Sequence, residues 1–188
     1  GKSAAIVHND ANLDAFESDV RWGIFFNAGQ VCSAMSRVIA HESIHDELVG
    51  RIEKIAKSLD VGPGIDRPEF GENMGAMVSE AQRDRAAQMV TDAVAQGANV
   101  VTGGRKLNIP GAFLEPTILT NVTPDMTIAN EEVFGPVLSV LKFKSDAQSI
   151  EIANGTPYGL VAGVFTRDIN RATNAARSLR AGQVFVNE

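Results

Sequence analysis

Pro136–Val186 reads PVLSVLKFKSDAQSIEIANGTPYGLVAGVFTRDINRATNAARSLRAGQVFV, and its pattern decides the fold class. Pro136 to Phe143 is an apolar strand, Ala147 to Ala153 a helix, Leu160 to Thr166 a second strand, Ile169 to Leu179 a second helix, and Val184 to Val186 a closing strand. Strands and helices in strict alternation predict a parallel sheet, because parallel neighbours need a long crossover and a helix supplies it.

The same alternation runs back through the chain. Ala4 to Val7 is a short apolar strand, and Asn12 stands where a helix cap belongs, before apolar positions Leu13, Phe16, Val20 and Ile24 at helical spacing. Ser36 to Ala40 reads as a strand and Asp46 to Leu59 as a helix stopped by Gly62-Pro63-Gly64. Gly62 to Asn73 is a surface loop, Glu80 to Gln96 a helix with Gly97 just past its end, Asn99 to Thr102 a buried strand, and Leu114 to Val122 another strand. The prediction is one α/β three-layer (αβα) domain over residues 1–188, its largely parallel sheet covered on both faces. There is no internal repeat, low-complexity tract or linker to divide it.

Composition narrows the function. The 188 residues are 44% hydrophobic and 21% charged, a globular profile, and 17 Lys and Arg against 23 Asp and Glu give a net charge of -6. Without a basic surplus to release phosphate counterions, nucleic acid is excluded as a partner. No apolar run approaches the roughly 20 residues of a membrane helix, so no membrane partner is expected. The one cysteine, Cys32, cannot form an internal disulfide, which points to a reducing, cytoplasmic setting. The opening Gly1-Lys2-Ser3 and the apolar end at Phe185-Val186-Asn187-Glu188 are expected to be cuts within a longer protein.

Five motifs are candidates for chemistry. Phe25 to Arg37 places Cys32 after a helix, in a Gly-containing polar turn before a strand, where a thiol can face a cleft and turn N–H groups can hold an oxyanion. A small buried cysteine is the competing reading. His41-Glu42-Ser43-Ile44-His45 matches the zinc-peptidase pattern H-E-x-x-H, which works only on one continuous helix, whereas Val38-Ile39-Ala40 reads as a strand. Gly62-Pro63-Gly64 and Gly103-Gly104-Arg105 lack the remainder of any phosphate-binding loop. Glu131-Glu132-Val133-Phe134-Gly135-Pro136 sets an aromatic between acids and a Gly-Pro turn, a pairing that suits the ribose and ring of a nucleotide, against a loop-packing Phe134 as the plainer alternative.

In order and spacing, Phe26-Asn27-Ala28-Gly29-Gln30-Val31-Cys32, Glu131 to Val137, Tyr158-Gly159-Leu160 and Ala181 to Asn187 resemble the NAD(P)-dependent aldehyde dehydrogenase superfamily, essentially from end to end. Gly103-Gly104, Glu115-Pro116-Thr117 and Gly1-Lys2-Ser3 support it. The resemblance implies the catalytic, thiol-bearing domain. Cys32 would be the nucleophile that forms a thiohemiacetal and then a thioester, with hydride passing to NAD or NADP. Glu132 would hydrogen-bond the nicotinamide-side ribose, Phe134 would pack near the nicotinamide, and Gln82 would be a further ribose contact. It also implies that the general-base glutamate, the cofactor-binding domain and a C-terminal segment lie outside this chain, that the 188 residues alone do not oxidise aldehydes, and that the full-length protein is a homodimer or homotetramer acting on an aldehyde. Two alternatives stand beside it: a zinc peptidase using His41, Glu42 and His45, and a noncatalytic interaction domain that keeps the fold.

Overall fold

The computed structural model describes residues 1–66 and 71–188. Among them, seven strands form one sheet in the order β5-β6-β7-β2-β1-β8-β9, with β1 Ala4–Val7, β2 Arg37–His41, β5 Asn99–Thr102, β6 Thr117–Thr120, β7 Val137–Phe143, β8 Val161–Phe165 and β9 Gln183–Val186. A separate parallel pair, β3 Asp60–Val61 and β4 Asn73–Met74, flanks the sheet. Every pairing of the main sheet is parallel except β5 with β6. Ile6 sits mid-sheet between Ile39 and Val164. The strand interiors are therefore continuous apolar runs, as in VAGVF of β8, whose five residues are all buried.

Crossover handedness places the helices. The step from β1 to β2 moves one way across the sheet, and the steps from β7 to β8 and β8 to β9 move the other way, so right-handed connections put the two sets of helices on opposite faces. α1 (Leu13–Val20) packs on α2 (His45–Ser58) on one face, and α5 (Asp146–Asn154) packs on α6 (Ile169–Ser178) on the other. α3 (Glu80–Ala95) and the short α4 (Thr127–Asn130) pack together in the excursion between β4 and β7. The expected three-layer α/β architecture is thus present.

Local chemistry explains the helix starts. Asn12 caps α1 through the N–H of Asp14 at 3.2 Å, Ser79 caps α3 through Gln82 at 3.2 Å, and Asp168 caps α6 through Asn170 at 2.8 Å. Gly97, at φ +108, turns the chain out of α3 in a conformation that costs other residues more. Two expectations change. The helix begun at Leu13 passes after Val20 into a π-turn, Arg21–Phe25, and β5 is an exposed antiparallel edge, with Val100 open to solvent, in place of a buried strand. An apolar run alone does not distinguish an edge from a centre. Part of the Gly62–Asn73 loop, residues 67–70, lies outside the described residues.

Two buried cations mark the amino ends of β1 and β2. Arg37, 3% exposed, donates to Lys2 O at 3.0 Å, Ile152 O at 3.0 Å and Ala153 O at 2.9 Å. The last two are end-of-helix carbonyls of α5, so its guanidinium caps the negative end of that helix. Lys2 is 1% exposed, and its Nζ has no hydrogen-bond partner. Burial, reinforced by Arg37, pushes its pKa down to about 7 from 10.5. Between those values the unfolded chain holds the extra proton, so this group's contribution to stability rises as pH climbs from about 7. Lys2→Met, which keeps the volume and removes the unpartnered amine, is expected to stabilise the protein by about 1–3 kcal/mol at pH 6 and to flatten that rise. Denaturant unfolding across pH 6 to 9 checks it; a less stable variant at pH 6 contradicts it.

Candidate active site

Cys32 is exposed and lies in a turn closed by Ala34 N donating to Val31 O at 3.0 Å. The residues before it adopt an unusual backbone. Asn27, Ala28 and Gly29 are all left-handed, at φ 51, 51 and 70, and Ala28 is buried. A side chain in that region costs of order 1 kcal/mol or more, and such conformations gather at functional sites. Asn27 and Gln30 brace the turn reciprocally: Asn27 Nδ2 donates to Gln30 O and Gln30 Nε2 to Asn27 O, each at 3.1 Å. Gln30 Oε1 accepts from Val78 N at 2.8 Å, tying the turn to the approach of α3.

The second segment arrives from the opposite side. Glu132 to Gly135 connects the end of α4 to β7 with Phe134 at φ 53 and its ring 37% exposed. The two segments touch at glycines, since a Cβ built on Gly29 would lie 2.1 Å from Gly135 O. Gly1 lies against the first segment, since a Cβ built on it would stand 2.9 Å from Cys32 O. Cys32, Glu132 and Phe134, far apart in sequence, therefore gather at the amino edge of the sheet, before β2 and β7. The carboxyl ends of β1 and β8, where parallel sheets commonly bind ligands, are closed by a polar network: Asp10 accepts from Thr166 Oγ1 at 2.8 Å and Arg171 at 3.2 Å, and Arg171 donates to Asp146 at 2.9 Å.

Beside Cys32 opens a cleft of about 270 Å³. Both its sequence neighbours, Val31 and Ser33, line it, with Trp22, Met35 and Phe185 supplying apolar wall and Asp19 and Glu188 carboxylates. Trp22 and Phe26, 45% and 47% exposed, stand 6.0 Å apart. Gln82 is directed at the second segment: Nε2 donates to Val133 O at 2.9 Å and Phe134 O at 3.0 Å. The left-handed run, the Gly29–Gly135 contact and Arg85, which also reaches this segment, escaped the sequence reading; Asn-Ala-Gly before the cysteine was the available signal for the first.

The histidine motif divides as its context predicted. His41 ends β2 and His45 begins α2, so they do not share a helix. His41 Nδ1 accepts from Ser43 N at 3.2 Å, and His45 Nδ1 pairs with Asp46 at 2.6 Å. Among the described residues no group of three His, Cys, Asp or Glu is placed to hold a metal, and no helix is long and apolar enough to cross a membrane. The zinc-peptidase alternative is unsupported.

Comparison with known proteins extends this geometry. The family model described as the aldehyde dehydrogenase family matches residues 1–188. The chain is 45% identical over 187 residues to a mitochondrial aldehyde dehydrogenase of Leishmania tarentolae, all of this chain aligning with 37% of that protein. A Bacillus cereus aldehyde dehydrogenase solved as its NAD+ complex matches with TM-score 0.94 at 40% identity, and a lactaldehyde dehydrogenase of Escherichia coli with TM-score 0.96 at 32%. Each match covers 100% of this chain and 38% or 39% of the solved chain, respectively. The chain thus spans well under half the length of these relatives.

Proposed function

The chain belongs to the aldehyde dehydrogenase family, and from that membership we propose that the complete gene product oxidises an aldehyde to a carboxylate with NAD or NADP, using Cys32 as nucleophile. The observation that carries the reading is the exposed thiol three residues after a left-handed turn whose Gly29 packs against Gly135, next to Phe134. Thiol and cofactor-facing groups then meet at one edge.

In this reading the Cys32 thiolate attacks the aldehyde carbon, forming a C–S bond while the carbonyl electron pair moves onto oxygen, where turn N–H groups can receive it. The nicotinamide cofactor supplies the hydride acceptor, leaving an acyl thioester on Cys32 that water cleaves to acid and free thiol. The residues present suit that cofactor: the Glu132 carboxylate offers two acceptor oxygens to neighbouring hydroxyls of a ribose, and the exposed Phe134 ring offers a flat apolar face. The aldehyde's remaining atoms occupy the cleft beside Val31 and Ser33. The family reading also extends to a homodimer or homotetramer in the cytoplasm.

Incubating the complete gene product with NAD+ or NADP+ and a series of aliphatic, aromatic and amino aldehydes tests the activity. The expected result is reduced nicotinamide formed in equal amount to carboxylic acid. No reduction with either cofactor across the series overturns it, and a product appearing only with added coenzyme A replaces hydrolysis by acyl transfer.

A further inference from the structure

We propose that Asp19 is a specificity-determining residue: its carboxylate, on the wall of the cleft that opens beside Cys32, favours aldehydes carrying an ammonium group at the end away from the carbonyl. Of the three acids of α1, Asp14 and Glu17 are both held by Arg51, each at 2.7 Å. Asp19, half-buried, has no hydrogen bond or ion pair among the described residues. Arg21, the next cation along the chain, donates instead to Gly71 O and Ser58 Oγ. The last turn of α1 holds no basic residue, so the carboxylate lies at the negative end of its own helix without compensation.

Such a group is an electrostatic conflict that packing does not explain. Burial, and then the Glu188 carboxylate that lines the same cleft, hold Asp19 above the usual carboxylate range. Neither lysine, arginine nor histidine lines that cleft among the described residues, and most of its wall is apolar, with Trp22, Met35, Phe165 and Phe185. The partner the cleft lacks is therefore a cation. Trp22 adds to the preference, since indole is the ring that attracts a cation best. Val31 and Ser33 line the same space on either side of Cys32 in sequence, so a short aldehyde with its carbonyl at the thiol extends its chain along the apolar wall toward Asp19. A neutral alkyl aldehyde leaves the two carboxylates uncompensated there, whereas an ammonium group meets them.

This inference rests on the reading that the cleft receives the aldehyde, and the test separates the two. In the complete gene product, kcat/KM is measured for 3-aminopropanal, for its neutral isostere butanal and for 3-hydroxypropanal, in the parent, Asp19→Asn and Glu188→Gln. The parent is expected to prefer 3-aminopropanal to butanal by about tenfold, and Asp19→Asn to remove that preference through KM, as the loss of one partly buried charged contact. Glu188→Gln, at the exposed rim, is expected to lower the preference by about twofold to threefold. Thermal stability of Asp19→Asn is expected to match or exceed that of the parent, because no partner is lost. A parent without the preference, an Asp19→Asn preference within about twofold of the parent's, or a preference for 3-hydroxypropanal as large and as sensitive to Asp19→Asn overturns the proposal. Propylammonium, which cannot react, is expected to protect Cys32 from iodoacetamide in the parent and about tenfold less well in Asp19→Asn. If no aldehyde is oxidised and this protection still depends on Asp19, the functional reading falls and the ammonium site survives. If aldehydes are oxidised with neither preference nor protection, the site falls and the functional reading survives. Should Asp19→Asn fail to fold, Asp19→Ser, also uncharged, is read by the same ratio and the same protection.

Discussion

Replacing Cys32 by serine in the complete gene product is expected to lower aldehyde-dependent cofactor reduction by roughly 10⁴-fold or more, in line with removal of a catalytic nucleophile elsewhere. The thiol is the chain's only cysteine and is exposed. A serine hydroxyl preserves the size and the turn, yet it is a far weaker acid than a thiol and forms almost no anion to attack a carbonyl. The loss is therefore expected in kcat, with NAD+ affinity within about twofold, since Cys32 is not in the loop that carries Glu132 and Phe134. Equal thermal stability of variant and parent confirms that chemistry and not folding was removed. Peptide mapping after iodoacetamide gives a second reading: inactivation of the parent should track alkylation of the peptide containing Cys32. Cys32→Ser turnover within tenfold of the parent would end the thioester mechanism.

Much of this architecture was legible because it depends on periodicity. Pro136 to Val186 alternates strand and helix so regularly that observed boundaries fall within two residues of the expected ones at β7, α5, β8, α6 and β9. Asn12 announced its own cap. The misses share a physical cause: they depend on what packs against a segment. Asn99 to Thr102 has an apolar centre whether it lies inside a sheet or at its edge, and only the neighbours available decide. The π-turn after Val20 keeps helical spacing in sequence while adding a residue to each hydrogen-bonded ring. At the candidate site, residue type suggested Cys32, Glu132 and Phe134, but their meeting at the amino edge depends on the excursion through α3 and α4, which leaves no pairwise trace in one sequence. Arg85 looks like an ordinary surface residue of α3 until the loop above it is in place.

The contact that holds the two halves together supplies the other large expected effect. Gly29→Ala should destabilise the protein by about 2–4 kcal/mol, the sum of a left-handed alanine and a forced backbone displacement. At φ 70 the residue is in the region where a Cβ is strained, and that Cβ would lie 2.1 Å from Gly135 O and 2.4 Å from its carbonyl carbon. Relief cannot come from a rotating side chain, because both neighbours are backbone. Nor can Gly135 retreat freely: a Cβ on it would already be 3.0 Å from Met77 Cε and 3.2 Å from Ala86 Cβ, so α3 stands close behind it. Whatever moves, the Cys32 turn and the Glu132 loop must separate, and turnover should fall along with stability even in molecules that remain folded. Gly23→Ala is the control, for it lies in the neighbouring π-turn with nothing within 4 Å of the new methyl, and should shift stability by less than about 1 kcal/mol. Denaturant unfolding of both variants, with Cys32 alkylation and turnover measured under conditions where each is folded, decides the matter. A Gly29→Ala protein as stable and active as the parent would mean that the 27–29 turn and the 132–135 loop are not in contact in the working enzyme, and that Cys32 does not face Glu132 across it.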